Sequence, residues 1–125
     1  MKPLLIVTAV LEVGAGLALL VSPAASAWVL LGAALETPAG LTVGRVAGAA
    51  LLSLGVACWF RDRPATGLVA AMLLYNTAAV AVLAVAGIGS ELVGVALWPA
   101  VGLHAAMAVW CVVCLRNKRV NVTSE

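Results

Sequence analysis

The stretch LVAAMLLYNTAAVAVLAVA, residues 68–86, decides the fold of this chain. It has the length and apolar character of a membrane-spanning helix, which needs about 20 predominantly apolar residues. Its centre carries Tyr75 and Asn76, and no other strongly polar side chain interrupts it. Because polar groups at mid-depth avoid lipid, this stretch predicts a helical bundle with a polar interior.

Three more apolar runs accompany this one, so the sequence predicts one membrane domain covering residues 1–125. We expect spans at about residues 3–21, 39–60, 65–86 and 92–115. Between the first two, Ser22-Pro23 combines a good N-cap with a good first helical residue. A short interfacial helix is expected there, at about residues 23–32. The predicted fold is an all-α integral membrane four-helix bundle.

Composition excludes a soluble domain. Hydrophobic residues make up 65% of the sequence and charged residues 10%, whereas soluble globular proteins contain about one half and one quarter. The net charge is only +2, and the basic residues fall in predicted loops, which indicates membrane topology rather than nucleic-acid binding. The lipid bilayer is therefore the predicted environment, and no nucleic-acid partner is expected.

The distribution of charge predicts the orientation in the membrane. One side of a four-span chain carries these basic residues: Lys2, Arg61, Arg63, Arg116, Lys118 and Arg119. The opposite loops carry Glu36 and Glu91 and no Lys or Arg. Since positive loops stay cytoplasmic, we expect an inner-membrane protein with both termini in the cytoplasm. The tryptophans should form belts at both interfaces, Trp28 and Trp98 outside and Trp59 and Trp110 inside.

A secretory signal peptide is the competing interpretation of the N-terminus. Lys2, the first apolar run and the triplet Ala25-Ser26-Ala27 fit that pattern. However, the run is longer than the roughly 7–15 apolar residues of a signal peptide, and it holds Glu12 at its middle. We therefore expect a retained span.

Each run beside the central one holds a strongly polar or ionisable residue: Glu12, Arg45 and His104. Glu12, Asn76 and His104 fall near the midpoints of their helices, while Arg45 lies further toward the outside. A charge that faces lipid at the bilayer centre costs from about 3 to 10 or more kcal/mol, so these groups should turn inward. We expect an internal ion pair between Glu12 and Arg45, with an Arg45 side chain that reaches outward to the interface as the alternative. The predicted ligand or proton site consists of Glu12, Arg45, Tyr75, Asn76 and His104.

Other interpretations of this polar layer stay open. The same residues could serve only as hydrogen bonds between helices, which would make the chain a structural or oligomerising scaffold. His104 has an unperturbed pKa of about 6.5, which suits proton exchange. The chain has only one histidine, which does not favour a haem or metal centre at that position. The sequence does not identify a cofactor, which stays unknown.

Glycines recur every four residues in the second run, at Gly40, Gly44 and Gly48. Such small-xxx-small spacing lets two helix backbones approach closely in lipid. We expect these glycines to pack helices within the bundle, with a homodimer interface as the alternative.

Four further features predict turns, a kink and a frayed end. Residues 87–91, GIGSE, should turn the chain, as should the basic segment at residues 61–64. Pro99 should kink the fourth span by removing one backbone hydrogen bond. The polar tail RNKRVNVTSE, residues 116–125, is expected to fray.

Cys111 and Cys114 form a C-x-x-C pair at the end of the fourth run, and Cys58 should lie at a similar depth. A helix C-terminus disfavours the thiolate, and the cytoplasm is reducing, so we expect buried thiols with a packing role. A thiol redox site or a three-thiolate metal site at these cysteines is the alternative.

The segments LEVGAGLALLVSPAASAWVLLG, residues 11–32, and GRVAGAALLSLGVACW, residues 44–59, resemble the small four-span bacterial proteins of the DoxX-like group. The likeness is a first span, a proline-started segment and a second span with an arginine near its outer end. It covers about the first half of the chain. The resemblance implies a four-helix membrane bundle and, for some relatives, a role beside respiratory or thiol-stress enzymes. It carries over no catalytic residue.

These features predict a binding or transport module, or an accessory subunit of a larger membrane complex, rather than an enzyme. The polar core would bind a small polar or amphipathic ligand or relay protons. A homo-oligomer or a larger membrane complex is the expected protein partner.

Overall fold

A computed structural model describes residues 1–60, 65–90 and 92–122, with side chains described through residue 117. The described chain is helical, with elements α1 (Lys2–Val21), α2 (Pro23–Leu31), α3 (Pro38–Trp59), α4 (Thr66–Gly89) and α5 (Leu97–Val122). The helices α1, α3 and α4, and the part of α5 at Leu97–Asn117, are long and apolar enough to cross a membrane. The predicted all-α bundle, with a short helix between the first and second spans, is confirmed. The chain is a small multi-pass membrane protein.

Proline begins several of these helices, as the sequence predicts. Pro3, Pro23 and Pro38 lie in the first turns of α1, α2 and α3, where backbone N–H groups lack helical partners. The hydroxyl of Thr37 caps α3 by accepting a hydrogen bond from Gly40 N at 3.0 Å. Ser22 occupies the N-cap position of α2, but its side chain makes no capping hydrogen bond.

The predicted boundaries of the last two spans were partly wrong. α4 continues through Gly89, so the glycines expected to turn the chain are helical. α5 begins at Leu97 rather than near residue 92, which places Pro99 in the first turn, where no helical hydrogen bond is lost and no kink is required. α5 also continues to Val122 through the tail that was expected to fray. The predicted turn at 61–64 and Glu91 lie outside the described residues.

The helices form two close pairs, α1 with α3 and α4 with α5, and contacts between the pairs are sparse. Glycines allow the first pair to approach: a Cβ added at Gly16 would lie 2.6 Å from Leu52 N and 2.7 Å from Gly48 O. Small residues at such positions replace the hydrophobic driving force that lipid removes.

The regularly spaced glycines of α3 therefore pack against other parts of the same chain. Gly48 faces α1, and a Cβ at Gly44 would lie 2.9 Å from Pro23 Cβ at the start of α2. Gly40 does not pack helices together, because the atoms nearest to its Cβ position belong to Thr37 and Leu35 just before it. Of the three predicted packing glycines, Gly44 and Gly48 bring helices together and Gly40 serves the N-terminus of α3.

The two pairs meet at the end of the bundle where α1 and α4 begin and α3 and α5 end. The buried residues there form the core cluster: Leu4, Leu5, Ala9, Cys58, Val69, Met72, Met107 and Cys111. Within it, Cys58 Sγ lies 3.7 Å from Met72 Sδ, which joins α3 to α4. This cluster packs buried side chains of all four long helices against one another.

At the opposite end, residues 92–96 pack on the C-terminus of α2. Ala96 N donates a hydrogen bond to Val29 O at 3.0 Å, which satisfies a carbonyl that the end of α2 leaves unpaired. Gly94 lies against the backbone of Leu30 so closely that a side chain has no room. The two helix pairs are thus held together at both ends, and the space between them lies in the middle.

Candidate functional site

A cavity of about 630 Å³ lies between the two helix pairs and is lined by all five helices. Its walls consist mainly of small and aliphatic side chains, such as Ala15, Leu51 and Ala79. The polar side chains on its lining are Thr8, Glu12, Tyr75, Asn76 and His104. Its volume falls within the range of about 300–1,000 Å³ that is usual for small-molecule sites.

Glu12 is buried, with 5% of its surface exposed. Tyr75 Oη donates a hydrogen bond to Glu12 Oε2 at 3.3 Å. The second carboxyl oxygen, Oε1, has no hydrogen-bond partner in residues 1–60, 65–90 and 92–122. One oxygen of the Glu12 carboxyl is therefore hydrogen-bonded within the protein, and the other can bond a molecule in the cavity.

The predicted ion pair between Glu12 and Arg45 is not formed, because Arg45 is exposed. Its neighbours Gly44 and Gly48 take the buried face of α3. Successive residues of a helix are about 100° apart, so Arg45 turns away from the contact with α1. A long basic side chain near the outer end of a span can reach the interface from such a position.

Asn76 and His104 form a second polar contact in the cavity wall. Asn76 Nδ2 donates to Met72 O at 2.7 Å, and Asn76 Oδ1 lies 2.8 Å from His104 Nδ1. Since the amide nitrogen already donates to a carbonyl, the oxygen faces the imidazole and accepts from Nδ1–H. This arrangement selects the Nδ1–H tautomer of a neutral His104, whose Nε2 lone pair has no partner in the described chain.

Tyr75 connects the two polar contacts by packing rather than by a hydrogen bond. Its ring meets the His104 imidazole edge to face, with centroids 5.6 Å apart and planes at 84°. The structure therefore brings together four of the predicted site residues and leaves Arg45 outside: Glu12, Tyr75, Asn76 and His104.

Thr8 is a site residue that the sequence analysis missed as a functional group. It is 1% exposed, and its Oγ1 has no hydrogen-bond partner among the described residues. The hydroxyls of Thr42, Ser53 and Thr77 instead donate to the carbonyl four residues earlier, each at 2.8 Å. Buried polar groups are normally satisfied, and the Thr8 hydroxyl can bond a molecule in the cavity that it lines. The sequence feature that could have identified Thr8 as a site residue was its position one helical turn before Glu12.

The cysteines do not form the three-thiolate metal site that was one alternative, and the thiol redox alternative stays a prediction. None of the three is in a disulfide, and Cys58 and Cys111 are buried in the core cluster. Among the described residues, which include every cysteine, no three His, Cys, Asp or Glu side chains are placed so that they could hold one metal ion. The thiols therefore do not form the three-thiolate site, and their surroundings are those of packing residues.

No protein-family model, curated protein or solved structure matches this chain. Function must accordingly be inferred from the cavity and its polar atoms.

Replacing Asn76 with Leu is expected to destabilise the protein by about 1 kcal/mol, because His104 Nδ1–H loses its acceptor inside the bundle. The ¹⁵N spectrum of this single histidine should show the Nδ1–H tautomer in the original protein and lose that preference in Asn76→Leu. Thr77→Val is the control, since Thr77 is exposed and bonds its own helix. An unchanged tautomer in Asn76→Leu would contradict this assignment.

Proposed function

We propose that this membrane protein binds a small amphipathic ligand in the cavity between its helix pairs, as a binding or transport module or as an accessory subunit of a membrane complex. The observation that carries the proposal is the set of polar atoms that have no partner among the described residues, on an otherwise apolar wall: Thr8 Oγ1, Glu12 Oε1 and His104 Nε2. A few polar groups in an apolar cavity are typical of ligand sites.

Ligand binding is favoured over a proton relay by the contact between Tyr75 and His104. A relay needs a continuous series of hydrogen bonds between groups that exchange protons. Here the aromatic rings meet edge to face, and His104 Nδ1 bonds the Asn76 amide, which does not titrate. The two polar contacts therefore suit the recognition of one ligand from two sides.

The proposed location is the bacterial inner membrane, with both termini in the cytoplasm. The positive residues predicted on one side support this orientation. It places the core cluster toward the cytoplasm and α2 toward the outside. Membership of the DoxX-like group is proposed on the likeness of residues 11–32 and 44–59 alone.

Ligand binding can be tested with three probes that share one tail and differ in head group: decan-1-ol, decylamine and decanoate. In lipid nanodiscs, at least one probe should produce a saturable change in the ¹⁵N signal of His104, the only histidine. Ala79→Trp should abolish the change, because Ala79 lines the cavity and the indole would fill it. Ala81→Trp is the matched control, since Ala81 is exposed and does not line the cavity.

Two results would contradict the proposed function. The first is that no probe changes the His104 signal, and the second is that both tryptophan variants respond as the original protein does. Either result would favour the alternative of a scaffold, in which the polar residues only join helices.

A further inference from the structure

Glu12 has no positive counter-charge in the described part of the bundle. Its one hydrogen bond comes from the neutral Tyr75 hydroxyl, and Arg45, the basic residue predicted to pair with it, is exposed. His104 bonds Asn76 and makes no ion pair with Glu12. A carboxyl in an apolar interior is tolerated when a proton or another cation neutralises it.

The other residues that line the cavity supply no permanent positive charge for Glu12. α2 and α3 contribute apolar side chains, namely Leu30, Ala47 and Leu51. Apart from Glu12, the titratable side chains on the described lining are Tyr75 and His104. Neither is a permanent cation, so the exchangeable partner of the carboxyl is either a proton or a charged ligand.

The cavity is also open toward the lipid between α3 and α4. These helices meet at the core cluster through Cys58 and Met72, but further along they make few contacts with each other. There the cavity-lining residues Ala47, Ala78 and Val82 are exposed on the bundle surface. A ligand that reaches the cavity by this cleft comes from the hydrocarbon region and carries an apolar tail.

We propose that the cavity binds lipophilic amines from the bilayer and that the ammonium head replaces the proton on Glu12. A primary ammonium supplies the missing positive charge and three N–H donors. The donors match in number the acceptor atoms of the cavity wall that no described residue bonds, Glu12 Oε1, His104 Nε2 and Thr8 Oγ1. A carboxylate ligand would instead bring a negative charge beside Glu12, and an alcohol would leave the Glu12 carboxyl protonated.

The exchange is balanced in atoms and charge. A protonated amine that is partitioned in the bilayer and the neutral carboxyl form an ammonium–carboxylate pair, and one proton is released to solvent for each amine bound. No bond other than the O–H bond of the carboxyl is broken. This inference rests on the proposed ligand-binding function and specifies its ligand class.

The test compares decylamine with decan-1-ol in nanodiscs, using the His104 signal for affinity and a weakly buffered solution for proton release. Decylamine should bind roughly tenfold or more tightly, as charged hydrogen bonds exceed neutral ones by that order. It should release about one proton per molecule bound, as linkage requires of this exchange, and decan-1-ol should release none.

The variant Glu12→Gln keeps an acceptor for Tyr75 and removes the charge. It should lower the affinity for decylamine roughly tenfold and abolish proton release, so that the preference for decylamine over decan-1-ol is lost. Glu36→Gln is the control, because Glu36 is exposed in the connector before α3. The proton measurement on the original protein keeps the test valid if Glu12→Gln does not fold.

The outcomes separate the two proposals. If decan-1-ol binds and Ala79→Trp blocks it, but decylamine binds no more tightly or without proton release, the ligand site stands and the amine inference is overturned. Decylamine binding that Glu12→Gln does not weaken also overturns the amine inference. If no probe binds, the ligand-binding function itself fails.

Discussion

Gly16→Leu is expected to destabilise the protein by about 3 kcal/mol or more, at or above the upper end of the usual cost of overpacking a core. The Cβ position of Gly16 lies 2.6 Å from Leu52 N and 2.7 Å from Gly48 O, which are backbone atoms of α3. Backbone atoms cannot rotate away as a flexible side chain can. Any side chain at this position must therefore separate α1 from α3 along their closest contact.

The measurement is thermal unfolding of the purified protein in detergent, followed by the loss of helical circular dichroism. Gly14→Leu on the same helix is the control, because nothing in the described chain beyond the neighbouring backbone of α1 lies within 4 Å of its Cβ position. It should unfold at the temperature of the original protein or slightly above, since a helical glycine is replaced by a better helix former. Equal behaviour of the two variants would be inconsistent with the α1–α3 contact.

Met72→Ala is expected to destabilise the protein by about 2–5 kcal/mol, the range for removing a long buried side chain. Met72 is 0% exposed and touches Cys58 across the boundary between the two helix pairs. Contacts between the pairs are sparse elsewhere. The cavity left by the substitution therefore weakens the cluster that joins α3 to α4, rather than one helix pair alone.

Leu74→Ala, two residues further along α4, is the control for this prediction. Leu74 is 73% exposed on the lipid-facing surface, so its truncation should change the unfolding temperature little in detergent. The contrary result, in which Leu74→Ala costs as much as Met72→Ala, would show that the core cluster does not hold the pairs together.

The spans could be predicted because their apolar length alone requires a membrane helix. The start of α5 could not, because it depends on a tertiary contact. Residues 92–96 continue the apolar run, yet Ala96 donates its backbone hydrogen bond to Val29 in α2 rather than to a longer helix. Only that docking shows that Pro99 lies in a first turn.

Part of the candidate site could also be predicted from the sequence. The cost of exposing polar groups to lipid brings Glu12, Asn76 and His104 to one cavity. The same cost does not predict whether the Arg45 side chain points inward or outward. A side chain near the outer end of a span can also reach water. The glycines beside it, which take the buried face of α3, turn it outward. The unsatisfied hydroxyl of Thr8 depends on a side-chain rotamer, which sequence does not specify.

The attachment of the helix pairs at both ends has a mechanical consequence for the cavity. Its width can change through outward bowing of the middle of α3 and α4, while the core cluster and the segment at 92–96 stay in place. Gentle curvature lengthens helical hydrogen bonds only slightly. Lateral pressure from the surrounding acyl chains acts on those midpoints, so the volume available between the pairs should decrease as lipid packing tightens.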